Sequence, residues 1–205
     1  MLAVVAAILL AGSAAHAGAG AEPAPWQLVD VVEGVHVWAA ERPAEFWGLA
    51  RGRVEAPADA IFRRVSDFES LPRVYPWLDA VRVLERGEDS ALVYFHYNLP
   101  WPLSDRSYTA AHRWWTEPSG TIVLDVSDPG GLVPPDDGAV HVAGVLTRMT
   151  FEPVGGGAAT DVEYLFRADI AGMLPHSVRA QTAWKIPLNA VLSMRRSLEP
   201  RYASR

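Results

Sequence analysis

Residues 172–198 read GMLPHSVRAQTAWKIPLNAVLSMRRSL, and the fold turns on what this stretch lies against. Gly172 and Pro175 end a preceding strand and preset a first helical turn, and no further turn signal follows before Leu198. Val178, Ala183, Trp184, Leu188, Val191, Leu192, Met194 and Leu198 recur mostly at three- and four-residue spacing, with Arg179, Lys185, Arg195 and Arg196 on the wet side. One face of a long helix must therefore rest on apolar surface. Pro187 removes one backbone hydrogen bond inside the run and crowds the carbonyl four residues back, which predicts a kink. Two readings follow: a helix packed on a sheet, or a lid over a cavity.

The segments before it supply the sheet. Strands are predicted over 80–86, 91–98, 106–115, 121–127, 139–151 and 160–169, joined by loops containing Gly, Pro or Asp, with Gly155, Gly156 and Gly157 as one hairpin turn. Consecutive hairpins make the sheet antiparallel. In the last strand Val162, Tyr164, Phe166 and Ala168 face one side, and Asp161, Glu163, Arg167 and Asp169 the other. Upstream, 26–32 predicts two turns of amphipathic helix, and a hairpin of 35–41 and 46–55 turns around Arg42 and Pro43. Pro57 starts a helix over 58–68 with Ile61, Phe62, Val65 and Phe68 on one face, and 71–78 turns the chain back. This order describes an α+β domain: a curved antiparallel sheet grips one long C-terminal helix and leaves a hollow between them. Alternation points Phe95, Tyr97, Tyr108, Ala110, His112, Ile122, Leu124, Val126, Val142, Tyr164 and Phe166 inward, against Trp184, Leu188, Val191 and Leu192 of the helix.

With 205 residues, half of them hydrophobic and a fifth charged, the chain suits one domain with a real core, expected as a monomer. A net charge of −6 argues against nucleic acid as a partner. Residues 2–11, LAVVAAILLA, followed by Ala15-His16-Ala17, read as a secretory signal over 1–17 with a flexible leader over 18–25. The expected location is periplasmic or secreted. No positive charge precedes the apolar run, so an uncleaved membrane anchor is the alternative. The chain has no cysteine, which leaves no disulfide and no thioether lipid anchor.

Three passages, in order, resemble the START (StAR-related lipid transfer) family of the helix-grip superfamily, over about residues 26–198. Gly34-Val35-His36-Val37 resembles the family's opening "dGVkVy". The stretch 99–108, LPWPLSDRSY, resembles "PWPLSDRDYV" with Ser107 where Asp is usual. The last strand leading into Gly172-Met173-Leu174-Pro175 resembles the "GWLP, then long helix" ending. The resemblance implies a START-like lipid-binding domain over 26–200 whose tunnel holds one sterol, hopanoid or fatty-acyl lipid. It implies no reaction on that lipid, no cofactor, and transient membrane contact. Many members carry a buried acid and base at the lipid's polar end. In the register set by Arg106 the base falls on His112 and the acid near Phe95, yet residues 91–98 hold no carboxylate, so a more apolar pocket is expected. His112 reads either as a donor to a ligand hydroxyl or as a structural histidine.

Enzymatic readings find little. There is no G-x-S-x-G elbow, no cysteine nucleophile, no H-E-x-x-H and no phosphate-binding glycine loop after a strand. His96, His112 and His141 lie on separate strands without metal-ligand spacing. The runner-up function is a cyclase or hydrolase of the superfamily acting on an aromatic or polyketide substrate, with His112, Tyr108 or Asp105 as acid or base. A third is an interaction domain with an empty cavity. For Asp105 the simpler role is a loop residue beside Arg106.

Overall fold

The structure, a computed structural model, describes residues 26–42, 45–73, 75, 78–99, 101, 104–130, 138–169 and 176–199. The readings of 1–17 as a signal, of 18–25 as a leader, and of Gly172 and Pro175 as the start of the last helix lie outside these residues.

Among the described residues ten strands form one curved sheet. In chain order they are β1 (Gln27–Val32), β2 (Val35–Arg42), β3 (Glu45–Val54), β4 (Leu78–Arg86), β5 (Ser90–Tyr97), β6 (Arg106–Thr116), β7 (Ile122–Ser127), β8 (Val140–His141), β9 (Ala143–Val154) and β10 (Ala159–Asp169). Two helices accompany them, α1 (Ala58–Ser66) and α2 (His176–Leu198). The spatial order β1-β2-β3-β10-β9-β7-β6-β5-β4 is antiparallel throughout, and β8 adds a short parallel pairing to β6. The expected α+β helix-grip fold is present.

Two expectations are corrected. Residues 26–32 are not helical: Gln27–Val32 is an edge strand paired with β2. Leu28, Val31 and Val32 mimic helical spacing, but Val29, Val31 and Val32 are β-branched, and pairing with β2 satisfies their backbone. The deciding signal is the two-residue turn Glu33-Gly34, where φ is +52° and +75°, the geometry that joins two twisted strands directly. The predicted strand 139–151 divides at Val142. The amides of Val140 and Val142 donate to the carbonyls of Asp105 and Ser107 on β6 at 2.8 Å each, and the chain then crosses to β10 through Gly144, φ +64°.

The core fills the concave face. Strand register places Val37, Ala50, Tyr164, Met149, Leu124 and Trp114 in one row, so the inward positions of six strands meet. The main cluster joins these to Ile61 of α1 and to Leu188, Ala190, Val191, Leu192 and Met194 of α2. A second cluster, Phe68, Leu78, Ala91, Val93 and Phe95, closes the β4–β5 end.

α2 rests chiefly on β3, β2 and β10, and the sequence of β3 explains why. Gly48, Ala50 and Gly52 are its inward positions there, and they are small. A Cβ on Gly48 would overlap the backbone carbonyl of Ala183, and one on Gly52 would meet Val191 and Arg195. Pro187 has no N–H to offer the Ala183 carbonyl, so this spare acceptor of the helix faces Gly48, a strand position without a side chain. Pro187 lies fully buried inside the helix without ending it. Further along, buried Arg195 donates from Nε to the Arg53 carbonyl (2.7 Å) and from Nη1 to the Glu33 carbonyl (2.5 Å), with Glu199 3.8 Å away. The Glu199 carboxylate in turn accepts from the Glu55 amide at 3.1 Å. The C-terminal half of α2 is thus fastened to the sheet.

Candidate functional site

The other half of the concave face carries inward side chains that are large instead of small. On β5 and β6, cross-strand register pairs Ala91 with His112, Val93 with Ala110, Phe95 with Tyr108 and Tyr97 with Arg106, all directed inward. Phe95 stacks on Tyr108 (centroids 4.9 Å) and Tyr97 on its other neighbour position (5.9 Å), giving a continuous aromatic wall. Each such pair contributes about 1 kcal/mol beyond area burial.

All the predicted inward positions fall on this face or on α2. Ala110, Leu124, Val126, Val142, Tyr164, Phe166, Leu188, Val191 and Leu192 are buried in the main cluster. Phe95 belongs to the second cluster, and Tyr108 touches both. Tyr97, Tyr108, Ile122 and Trp184 differ from the rest, because each keeps accessible surface. Tyr97 and Tyr108 are both part-exposed, and burial is the main influence on the ionisation of each phenol. Sequence reasoning missed Tyr75, Thr147 and Met149. Alternation from Phe151 would have found the last two, whereas Tyr75 sits in an aperiodic Pro-rich segment with no signal.

The hydrogen-bonding groups of the wall are neutral. The Tyr97 and Tyr108 hydroxyls are 3.3 Å apart. Burial, reinforced by the neighbouring phenols, raises the Tyr108 pKa well above its ordinary value, and that of Tyr75 to about 12. Tyr164 is raised by burial as well, and its hydroxyl meets Thr147. His112 is lowered to about 4, because burial opposes its charge more than its backbone partners favour it. Its Nδ1 lies 3.2 Å from the Ala110 carbonyl, and Phe68 meets its ring edge-on at 4.7 Å. The hydrogen bond of His112 is therefore with its own strand. Asp105 accepts from the Leu99 amide at 3.1 Å and braces the β5–β6 loop. Arg106 donates from Nη1 to the Ser104 (2.5 Å) and Asp105 (3.3 Å) carbonyls of the same loop, while its Nε is buried without a partner. No group of three metal-ligating side chains occurs among the described residues.

An open groove of about 500 Å³ lies on the opposite, wet face of the sheet, lined by His36, Arg51, Arg53, Glu152, Asp161 and Glu163 among others. Its charges pair with one another, Arg51 with Glu163 at 2.6 Å and Arg53 with Asp161 at 2.8 Å, in solvent. Exposed pairs of this kind are worth about 1 kcal/mol or less. The groove is open and its arginines are already paired, so the aromatic face is the stronger candidate.

Comparison with known proteins agrees with this geometry. A family described as "Polyketide cyclase / dehydrase and lipid transport" matches residues 54–183. An uncharacterized protein of Pseudomonas aeruginosa is 21% identical over 179 residues, covering 86% of this chain and 88% of its own. The crystal structure of a STAR-related lipid transfer protein fragment from Xanthomonas axonopodis superposes with a TM-score of 0.76 at 21% identity, over 84% of this chain and 97% of that one. Human StAR-related lipid transfer protein 5 gives 0.70 at 14% identity, over 98% and 95%. The Zhui aromatase/cyclase from a Streptomyces gives 0.51 at 14% identity, over 78% and 97%. The chain has the START helix-grip fold, and it belongs to the polyketide cyclase / dehydrase and lipid transport family.

Proposed function

We propose that this protein binds one hydrophobic lipid in the hollow between the β5–β6 aromatic wall and α2, and carries it without chemical change. The observation that supports this most is the stacked row Phe95, Tyr108 and Tyr97 on the concave face, whose two phenols keep accessible surface. Covering about 400 Å² of ligand at ~25 cal/mol/Å² gives roughly 10 kcal/mol before ordering costs, enough for a useful affinity without a charged anchor. The cyclase-like relative keeps an enzyme in view. Against that reading, His112 is occupied at Nδ1 by a backbone carbonyl, and the phenols hold their protons too firmly to exchange them near neutral pH. Trp101, 92% exposed on the β5–β6 loop, suits the interfacial zone of a bilayer and is our choice for the point of transient membrane contact.

The test is titration of the purified, delipidated protein with a fluorescent sterol and a fluorescent fatty-acyl probe. Saturable uptake at one probe per chain is expected. Trp184→Ala should weaken it by about tenfold or more in the folded fraction, because a wall is lost. Trp101→Ala should slow extraction from vesicles and leave affinity unchanged. Absence of saturable uptake for both probes would overturn the proposal.

A further inference from the structure

Four phenols converge on the inward face. Tyr97 and Tyr108 are stacked with hydroxyl oxygens 3.3 Å apart, and Tyr75 and Tyr164 lie close enough to resist ionisation of Tyr108. A phenol carries one O–H to donate and accepts as well. The Tyr97–Tyr108 contact uses one of the two donors, and neither hydroxyl has a second hydrogen-bonding partner among the described residues. One O–H is therefore left over beside the buried apolar side chains Val93, Phe95 and Ala110, where a donor cut off from water costs on the order of 1–3 kcal/mol.

The surroundings say what can meet it. No carboxylate stands on the inward positions of β5 or β6. His112 is held neutral by burial. Arg106, on the same face beside Tyr97, directs Nη1 at the carbonyls of its own loop, and it does not figure among the charges that act on either phenol. A ligand carboxylate or phosphate placed at the phenols would be desolvated, and the cation on that face, Arg106, has its Nη1 committed to the Ser104 and Asp105 carbonyls. An alcohol both accepts the spare O–H and donates onward, and a ketone accepts it, at no such cost.

We propose that the Tyr97–Tyr108 pair, with Tyr164 and Tyr75 behind it, receives the polar end of the ligand and selects an uncharged hydrogen-bonding group, an alcohol or ketone, over a carboxylate or phosphate. This rests on the lipid-binding reading and names the class of ligand. The buried Nε of Arg106 supplies the competing outcome, since a ligand drawn to it would carry negative charge.

The experiment displaces a fluorescent apolar probe with hexadecanol, palmitate and hexadecane, which share a chain and differ only at one end. It uses the wild-type chain and the Tyr97→Phe/Tyr108→Phe variant. In the wild type hexadecanol should displace the probe at a concentration about tenfold lower than palmitate or hexadecane. In the double variant hexadecanol should fall to the level of hexadecane, while displacement by hexadecane stays unchanged and shows that the hollow is intact. Palmitate equal to or better than hexadecanol, or an alcohol advantage that survives in the double variant, overturns the inference and leaves lipid binding standing. Should the double variant not fold, the wild-type order of the three competitors decides alone. Absence of probe uptake by the wild type overturns both readings together.

Discussion

His112 stands between Phe68 and Phe95 with Nδ1 3.2 Å from the Ala110 carbonyl, and burial lowers its pKa from 6.5 to about 4. Between those two values the unfolded chain binds a proton that the folded chain refuses. Stability is therefore fully present above pH 6.5 and is lost as pH falls toward 4, by about 3 kcal/mol at most for this one group. His112→Gln, which keeps a donor for a carbonyl, should lower stability at neutral pH yet flatten its fall between pH 6.5 and 4 in urea titrations. A variant with the same acid slope as the wild type would show that His112 ionises freely in the folded chain. The sequence made the inward direction of His112 legible, since alternation from Tyr108 sets it. It did not make its partners legible, because carbonyls of the residue's own sheet leave no trace in side-chain pattern. The same holds for Tyr97 and Tyr108: their side was readable, their 3.3 Å contact was not.

At the scale of elements, the period-two alternation of β10 and the helical spacing of α2 were enough to find both, because each has one apolar and one wet face. β1 was missed because its exposed valines also fit a helix, and only the Glu33-Gly34 turn distinguishes the two. What binds α2 to the sheet was written in β3 as Gly48, Ala50 and Gly52, three small residues on one face, and in Pro187, which frees the carbonyl that Gly48 admits. Gly48→Ala should therefore cost about 3 kcal/mol, at the upper end for overpacking, because the obstacle is helix backbone that cannot rotate away. For a chain of this size that is a fall in Tm of about 6–12 °C by calorimetry. Gly34→Ala, where a Cβ meets nothing, should cost less, through its positive φ alone. Equal losses in the two variants would mean that α2 does not seat on β3 as closely as described.

The whole molecule divides its concave face between two tasks. Over β2, β3 and β10 the face is small-residued and covered by a fastened helix, so this side holds the fold together. Over β5 and β6 it is aromatic and keeps accessible surface at Tyr97 and Tyr108, and this is the side the proposed ligand occupies. The composition of core and pocket is the same, which is why the sequence named the inward residues without separating packing from lining. The accessible surface kept by Tyr97, Tyr108, Ile122 and Trp184 sets them apart, and it exists only in three dimensions. Photo-crosslinking with a diazirine-bearing alkyl alcohol, followed by mass-spectrometric mapping, tests the central claim most directly. One saturable label per chain on the inner face, at Tyr97, Tyr108, Tyr164 or Trp184, is the predicted result. Labelling in the wet groove around Arg51 and Glu163, or labelling that never saturates, would contradict it.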